Sequence, residues 1–229
     1  MRRLILPLFV TLPVLAVLLG LGTWQTERLG WKRDILARIA AAEAGPAVPL
    51  ADPPAAFSKV VAEGRFDHGR EALVGLEVRG TALGARLVAP LLREGAPPLL
   101  VDRGWVPIGR AGPVERPEGV VRVAGWIREA EPAGWFSATD DAAGRRFYSF
   151  DPATIGAALG LPSVAPYALV ALGDGRGLPE ADRALPRPRN NHLGYAITWY
   201  GLAAALTGVF LVWARRRLKD GTPDAQPRL

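Results

Sequence analysis

Two long apolar stretches lie at opposite ends of the chain and dominate its pattern of hydrophobic and polar positions. The first covers residues 4–22 and is rich in Leu, Val and Ala. The second, residues 193–213, also carries no charged side chain. Because a helix of about 20 apolar residues crosses the hydrocarbon core of a bilayer, the pattern predicts two transmembrane helices, over residues 4–24 and 192–213.

The charged residues indicate how these helices are oriented. Most of the formal net charge of +6 lies in the two tails, residues 1–3 and 214–229. Basic residues mark the cytoplasmic ends of transmembrane helices, so both tails are predicted to be cytoplasmic and residues 25–191 to lie on the far side. No acidic-poor, Ser-rich transit peptide precedes the first helix, which favours a bacterial inner membrane and a periplasmic domain.

The first apolar stretch has a second interpretation, as a signal peptide that is removed. No A-x-A-type cleavage site follows it, and the chain continues instead with Trp24 and Gln25. Tryptophan is frequent where a helix leaves the bilayer. The sequence therefore favours an uncleaved anchor.

The composition excludes several classes of function. Because the basic residues are confined to the membrane flanks, they indicate topology rather than a phosphate-binding surface, and nucleic acid is not expected as a partner. The chain has no cysteine, which rules out disulfides, thiolate metal sites and a cysteine nucleophile.

Between the two apolar stretches, short runs of alternating apolar and polar residues predict strands with one buried face. A helix is predicted after Asp151, which is a good N-cap, and it ends at Gly160. Residues 28–44 also have helical spacing and stop at Gly45, before a linker over 45–56. The predicted strands are Phe57–Phe66, Ala72–Val78, Ala85–Leu92, Pro98–Pro107, Val120–Glu129, Arg145–Phe150 and Tyr167–Leu172.

The predicted fold class is therefore a membrane-anchored α+β protein. Two transmembrane helices flank a mostly antiparallel β-sheet or barrel-like extracytoplasmic domain with one or two short helices. Short strands at this spacing, separated by Gly, Pro and Asp, are typical of such sheets and small barrels.

Few residues of the middle segment suggest catalysis. His68 lies beside Asp67 and Glu71 at a predicted turn, where an acid/base pair or a metal site could form. A solvated turn histidine is the alternative, and it is favoured because the predicted domain has no second histidine. No GxSxG, HExxH, P-loop or Rossmann fingerprint is present, so the protein is not predicted to be an enzyme.

The stretch VDRGWVP, from Val101 to Pro107, is more distinctive. Its Gly104 permits a bulge or a close backbone approach at the end of a strand. Arg103 and Trp105 on either side could project toward an anionic or planar partner. The alternative is an ordinary strand end with a core tryptophan.

The second apolar stretch has two faces when read at about 100° per residue. Small residues form one continuous stripe, which we expect to pack against Ala16 and Gly20 of the first helix. His192, Tyr195 and Trp199 cluster on a roughly opposite face. The stripe consists of Gly194, Thr198, Gly201, Ala205 and Gly208.

Trp24, Arg28 and Trp31 follow the first apolar stretch with spacing i, i+4 and i+7. They share one face if the helix continues beyond the membrane. An interfacial aromatic belt with a snorkelling arginine explains this motif by itself.

Three segments resemble one known family. GTWQTERLGWKRDIL after the first apolar stretch, VDRGWVP in the domain and NNHLGYAITWYGLA at the start of the second are similar to motifs of the surfeit-locus family of cytochrome c oxidase assembly factors. The order of helix, long domain and helix is also the same. One departure is Asp102, where the family usually has Asn before the arginine.

The resemblance implies a role in the maturation of haem–copper oxidases, in which haem a is helped to reach the large membrane subunit of cytochrome c oxidase. It assigns His192 as the axial ligand of the haem iron. Tyr195, Trp199 and Trp24 would line the haem, and Arg28 or Arg103 would pair with its propionates. The haem a synthesis enzyme is a further candidate partner.

Two alternatives remain open from the sequence. The protein could be a membrane-anchored scaffold or chaperone that docks an oxidase subunit without a cofactor. The domain could also be an enzyme with a site around His68.

Overall fold

The structure of the protein is a computed structural model that describes residues 2–109 and 112–219. Residue 1 and residues 220–229 of the predicted tails lie outside the described residues. The chain divides into two units, Met1–Ala37 with Pro188–Leu229, and Arg38–Arg187. The elements are α1 (Arg2–Ala44), β1 (Val48–Pro49), β2 (Lys59–Phe66), a 3-10 turn (His68–Arg70), β3 (Ala72–Arg79), β4 (Ala82–Arg93), β5 (Ala96–Pro107), β6 (Val121–Glu129), β7 (Arg146–Phe147), α2 (Pro152–Ala158), β8 (Tyr167–Ala171) and α3 (His192–Lys219).

The first unit consists of α3 and most of α1. Both helices are long and apolar enough to cross a membrane, in agreement with the two predicted spans. Beyond residue 24, α1 continues without interruption to Ala44. The backbone N–H of Gly45 donates to the carbonyl oxygen of Ala41 at 3.2 Å, so the helix ends at the predicted glycine.

Helices α1 and α3 pack through a face of α3 that includes two buried alanines, Ala196 and Ala203. A Cβ added at Gly22 of α1 would lie 2.8 Å from the ring of Tyr200, so a larger residue at this crossing would have to displace that ring. The hydroxyl groups of Thr23 and Tyr200 are 3.3 Å apart. The two helices therefore meet at this crossing through the Tyr200 side chain of α3 and the Gly22–Thr23 segment of α1.

The predicted stripe of small residues lies on the opposite side of α3, and the expectation that it packs against α1 is wrong. A Cβ at Gly194, Gly201 or Gly208 would meet nothing within 4 Å, and the same holds for Gly20 of α1. Thr198, Ala205 and Ala16 are exposed as well. Small side chains permit close packing but do not require it, and the contacts of Gly22 and Gln25 turn the His192 face of α3 toward α1.

The second unit is built on a β-barrel. Its strand order is β1-β2-β6-β8-β5-β4-β3-β7, and β2 also pairs with β4. This extra pairing closes β2, β6, β8, β5 and β4 into a ring, with Arg65 opposite Leu92 and Phe66 opposite Leu91. A Cβ at Gly64 would lie 2.5 Å from the carbonyl oxygen of Leu92, so closure requires glycine at this position. The predicted fold class is confirmed.

The sheet differs from the prediction in two respects. Three pairings are parallel, namely β1 with β2, β3 with β7 and β5 with β8, so the sheet is mixed. Strand β1 lies in the segment that was predicted to be a linker, and β7 is shorter than predicted. Each of these strands has only two residues, which is too short for an alternating pattern to appear.

Helix α2 covers one part of the barrel core. The core cluster that contains Ile155 of α2 also includes Phe147, Phe150 and Leu161. The carboxylate of Asp151 accepts a hydrogen bond from the backbone N–H of Ala153 at 3.2 Å. The predicted N-cap is therefore confirmed, and it positions a helix that buries apolar residues.

Candidate functional site

The imidazole of His192 is held by a glutamine of the other helix. His192 is the first residue of α3, and its Nδ1 lies 2.6 Å from Oε1 of Gln25 in α1. Gln25 is only 8% exposed. An amide oxygen can only accept a hydrogen bond, so this contact selects, for the neutral ring, the tautomer that has its proton on Nδ1 and its lone pair on Nε2. This is the form of histidine that coordinates metal ions.

The start of α3 does not depend on the His192 ring. The side-chain oxygen of Asn190 accepts a hydrogen bond from the backbone N–H of His192 at 3.4 Å. An asparagine at this place satisfies one of the free N–H groups of the first helical turn. The imidazole is therefore free of a capping role.

An aromatic and cationic cluster borders His192 on the side of α1. The ring of Trp24 meets the imidazole edge-on, with 6.4 Å between the centroids. The guanidinium of Arg28 lies 5.9 Å from the ring centroid of Trp24 and 5.1 Å from that of Trp31. The predicted common face of these three residues is confirmed because α1 runs through them. Arg28 is exposed, so its charge is accessible to an anion.

Tyr195 and Trp199 of α3 differ from each other in exposure. Tyr195 is exposed, whereas Trp199 is half-buried. Among the described residues, the ring paired with His192 is that of Trp24 and not of either α3 residue. The part of Tyr195 and Trp199 in a haem site stays a prediction.

Arg103 lies in the barrel, at the bulge that the sequence indicated. Gly104 has a φ of 127°, and the backbone N–H of Trp105 donates to the carbonyl oxygen of Glu180 at 3.0 Å. A Cβ at Gly104 would overlap that carbonyl group. The predicted close backbone approach is therefore confirmed.

The polar atoms of Arg103 and Trp105 already have partners within the barrel. The guanidinium of Arg103 donates to the carbonyl oxygen of Glu115 and reaches Oε1 of Glu71 at 3.5 Å. Burial lowers the pKa of Arg103, and the charge of Glu71 acts against this shift. The indole N–H of Trp105 donates to the carbonyl oxygen of Glu77 at 3.1 Å. Contact of Arg103 with a propionate stays a prediction.

The other histidine has both ring nitrogens occupied. Nδ1 of His68 lies 3.2 Å from Oε1 of Glu71, and Nε2 lies 3.0 Å from the carbonyl oxygen of Pro117. Glu71 also pairs with Arg116 at 2.7 Å. This geometry is that of a structural histidine in an ion-pair cluster. Within the described residues no group of three or more His, Cys, Asp or Glu could hold a metal ion.

The aspartate at position 102, where the family usually has asparagine, forms a buried ion pair with an arginine of the same sheet. Both oxygens of its buried carboxylate accept from Nε of Arg86, at 2.9 and 3.0 Å, and one accepts from the N–H of Gly104. Arg86 also donates to Asp182 at 2.7 Å. Burial by itself would lower the pKa of Arg86, but the attraction of Asp102 and the hydrogen bonds outweigh it and raise the pKa.

A protein-family model described as the SURF1 family matches residues 12–204. The chain belongs to the SURF1 family. Surfeit locus protein 1 of Homo sapiens is 28% identical over 232 residues, which cover 89% of this chain and 75% of the human protein. The SURF1-like protein of Monosiga brevicollis is 30% identical, covering 90% and 86%, and Surfeit locus protein 1 of Xenopus tropicalis is 26% identical, covering 87% and 72%.

Membership of the SURF1 family confirms the resemblance and implies a role in cytochrome oxidase assembly. The matched region contains all three segments on which the resemblance rests. The family is one of assembly factors rather than known enzymes.

Gln25 is the residue of the site that sequence reasoning missed. It lies within the family-like segment GTWQTER and directly after the apolar stretch. A polar side chain at the end of a membrane span is ordinary when it faces water. Only the structure reveals that this one is buried and bonded to a histidine 167 positions away.

Proposed function

We propose that this SURF1-family protein is an assembly factor for haem–copper cytochrome c oxidase that binds haem a at the membrane surface and assists its insertion into the large oxidase subunit. It acts from a bacterial inner membrane, with both termini cytoplasmic and the barrel domain in the periplasm. Family membership supports the assembly role. The geometry around His192 supports the proposal that the protein binds haem a.

The observation that carries the proposal is Nε2 of His192, which has no hydrogen-bond partner among the described residues. The hydrogen bond of Nδ1 to Gln25 leaves Nε2 as a neutral nitrogen donor, which is a suitable axial ligand for haem iron. Trp24 offers an aromatic surface beside the imidazole. Arg28, which is exposed in the next turn of α1, has the charge to pair with a propionate. The donor set at this place therefore fits a haem.

The protein's own residues would perform three tasks. His192 would bind the iron, Trp24 would contact the macrocycle and Arg28 would orient it by its charge. When bound, haem a supplies the metal centre that the oxidase needs, and the protein need only hold and release it. A single histidine ligand among otherwise non-ligating residues is compatible with such transfer.

The test of this proposal is a pyridine-haemochrome spectrum of the detergent-purified protein after co-expression with the haem a synthesis enzymes. The parent should carry haem a, and His192→Ala should lose most of it or show a shifted Soret band. His68→Ala, in which the other histidine is removed, should match the parent. Parental haem content and an unshifted spectrum in His192→Ala would show that His192 is not the ligand.

The proposed topology has its own test. Alkaline phosphatase, which is active only outside the cytoplasm, should be active when fused near Gly112 and inactive when fused after Leu229. An active fusion at the C-terminus would contradict the two-span arrangement.

A second candidate function is a scaffold that docks an oxidase subunit without a cofactor. One observation favours it: the side chains of Trp135 and Phe136 are fully exposed at a loop tip of the barrel domain. The hydroxyl of Ser137 accepts from the N–H of Gly134 at 2.8 Å and so organises the turn that presents them. Exposed large aromatic residues are frequent at protein interfaces.

The two candidates predict different behaviour of the variant Trp135→Ala/Phe136→Ala. If the protein is a cofactor-free scaffold that docks through this loop, the variant should no longer co-purify with the large subunit, and the parent itself should carry no haem a. Unchanged co-purification would remove the observation that favours the scaffold.

A further inference from the structure

A hydrogen bond between Gln25 and His192 links the two long apolar helices. It joins two long helices at a distance of 2.6 Å, and the glutamine is among the few buried polar residues of the described chain. Burying an amide is unfavourable unless it is hydrogen-bonded. The imidazole of His192 provides that bond.

The bond determines two properties of the imidazole. It selects the tautomer with the proton on Nδ1, and it restricts rotation of the ring, so that Nε2 has a defined direction. Histidines that bind metals nearly always donate their other N–H to an acceptor in this way, and loss of the acceptor commonly weakens metal binding by 10- to 100-fold.

From this geometry we propose that Gln25 is a positioning residue of the haem site, which makes Nε2 of His192 the ligand atom and makes the site depend on the packing of α1 against α3. The inference rests on the proposed function because it concerns the same histidine. It adds a residue from the other helix, and with it a reason why both helices are needed.

The neighbouring contacts explain how the two helices are brought into register. One turn before Gln25, Gly22 faces the ring of Tyr200, where any side chain would overlap the aromatic atoms. The Thr23 and Tyr200 hydroxyl groups lie 3.3 Å apart beside it. These contacts set the spacing of the helices at the level where Gln25 and His192 meet.

The tautomer can be measured without any haem. The chain has only two histidines, so a ¹⁵N-histidine-labelled protein, purified without a histidine tag, gives two pairs of ring-nitrogen signals. The pair that is missing in His192→Ala belongs to His192. We expect Nδ1 of His192 to be protonated in the parent. Gln25→Met, which keeps the chain length but removes the acceptor, should lose this preference, and Gln25→Glu should keep it.

The haem measurement uses the same variants. Gln25→Met should bind haem a about 10- to 100-fold more weakly than the parent. Gln25→Glu should restore binding to within a few-fold, but with a shifted Soret band and a lower reduction potential, because a carboxylate acceptor makes the imidazole a stronger donor. Glu27→Met, which changes an exposed neighbour, should behave as the parent in both measurements.

The outcomes separate this inference from the proposed function. If His192→Ala loses haem while Gln25→Met keeps parental affinity, tautomer and spectrum, the assignment of Gln25 fails and the haem function remains. If Nε2 rather than Nδ1 is protonated in the parent, Gln25 acts as a donor and the assignment fails as well. If His192→Ala keeps its haem, or the parent binds none, the proposed haem site itself is wrong, and the role of Gln25 in it falls too.

Discussion

The barrel domain and the helix pair each contain one of the two histidines. The two rings differ in how many of their nitrogens have protein partners. In the barrel, both nitrogens of His68 have protein partners, and the adjacent Glu71 also pairs with two arginines. In the helix pair, the His192 ring is hydrogen-bonded through one nitrogen only, as far as residues 2–109 and 112–219 are concerned. A ring bonded on both sides is part of the structure, whereas a ring bonded on one side is positioned and still able to bind.

The same contrast extends to the charged residues. In the barrel, Arg103, which the sequence marked as a candidate, donates to a carbonyl group, and Arg86 pairs with a carboxylate. In the helix pair, the guanidinium of Arg28 lies against two tryptophan rings and is exposed. We therefore expect substitutions in the barrel to change stability and substitutions in the helix pair to change ligand binding.

The largest effect is expected when the buried ion pair of the barrel is broken. Arg86→Met leaves the carboxylate of Asp102 buried without its main countercharge, which should lower the free energy of unfolding by about 3–5 kcal/mol. Urea denaturation of the detergent-purified protein, followed by the circular dichroism of the β-sheet, measures this loss.

The matched control for Arg86→Met is Arg122→Met in the same sheet. The ion pair of Arg122 with Glu63 is largely exposed and should contribute roughly 0–1 kcal/mol. If the free energy of unfolding fell equally in the two variants, the buried ion pair would contribute no more to stability than the exposed one.

A smaller effect is expected at the crossing of the two helices. In Gly22→Leu the new side chain meets the ring of Tyr200, and such overpacking costs about 1–3 kcal/mol. Cysteines introduced at Leu19 and Ala204, which line one apolar groove, should crosslink several-fold less in this variant. The chain has no native cysteine to interfere.

Gly201→Leu is the control for Gly22→Leu. The added side chain has open space around it, so crosslinking should equal that of the parent. If Gly201→Leu reduced crosslinking and Gly22→Leu did not, the stripe would be the packing face after all.

The smallest effect is expected for His68→Ala. Loss of the hydrogen bonds to Glu71 and Pro117 should reduce stability by about 1 kcal/mol, the usual net contribution of such a bond, and should leave haem content unchanged. A loss of haem in a variant that remains folded would break the distinction between the two histidines.

Much of the fold could be predicted because the deciding signals are local. The two spans follow from uninterrupted apolar residues, the end of α1 from Gly45 and the start of α2 from Asp151. The longer strands of the barrel were recognised by their alternating apolar and polar residues. The two-residue strand β1 was not recognised and β7 was predicted too long, since their pairing is decided by distant neighbours.

The candidate site was predicted in part. His192 was identified through the family-like motif, and the common face of Trp24, Arg28 and Trp31 through helical spacing. The side of α3 that packs on α1 was predicted wrongly. Both faces of α3 carry small residues, so composition could not show which face packs on α1. The packing face is the one on which Tyr200 contacts Gly22 of α1.

The order of most elements, the two apolar spans and the family of the chain can be recognised from the amino-acid sequence, because each depends on neighbouring residues or on short motifs. Which polar groups meet depends on the tertiary structure. Gln25 reaches His192, Arg86 reaches Asp102, and His68 reaches Glu71 and Pro117. A hydrogen bond requires its atoms to be about 3 Å apart, and for residues far apart in the chain only the packing of helices and strands brings them to that distance.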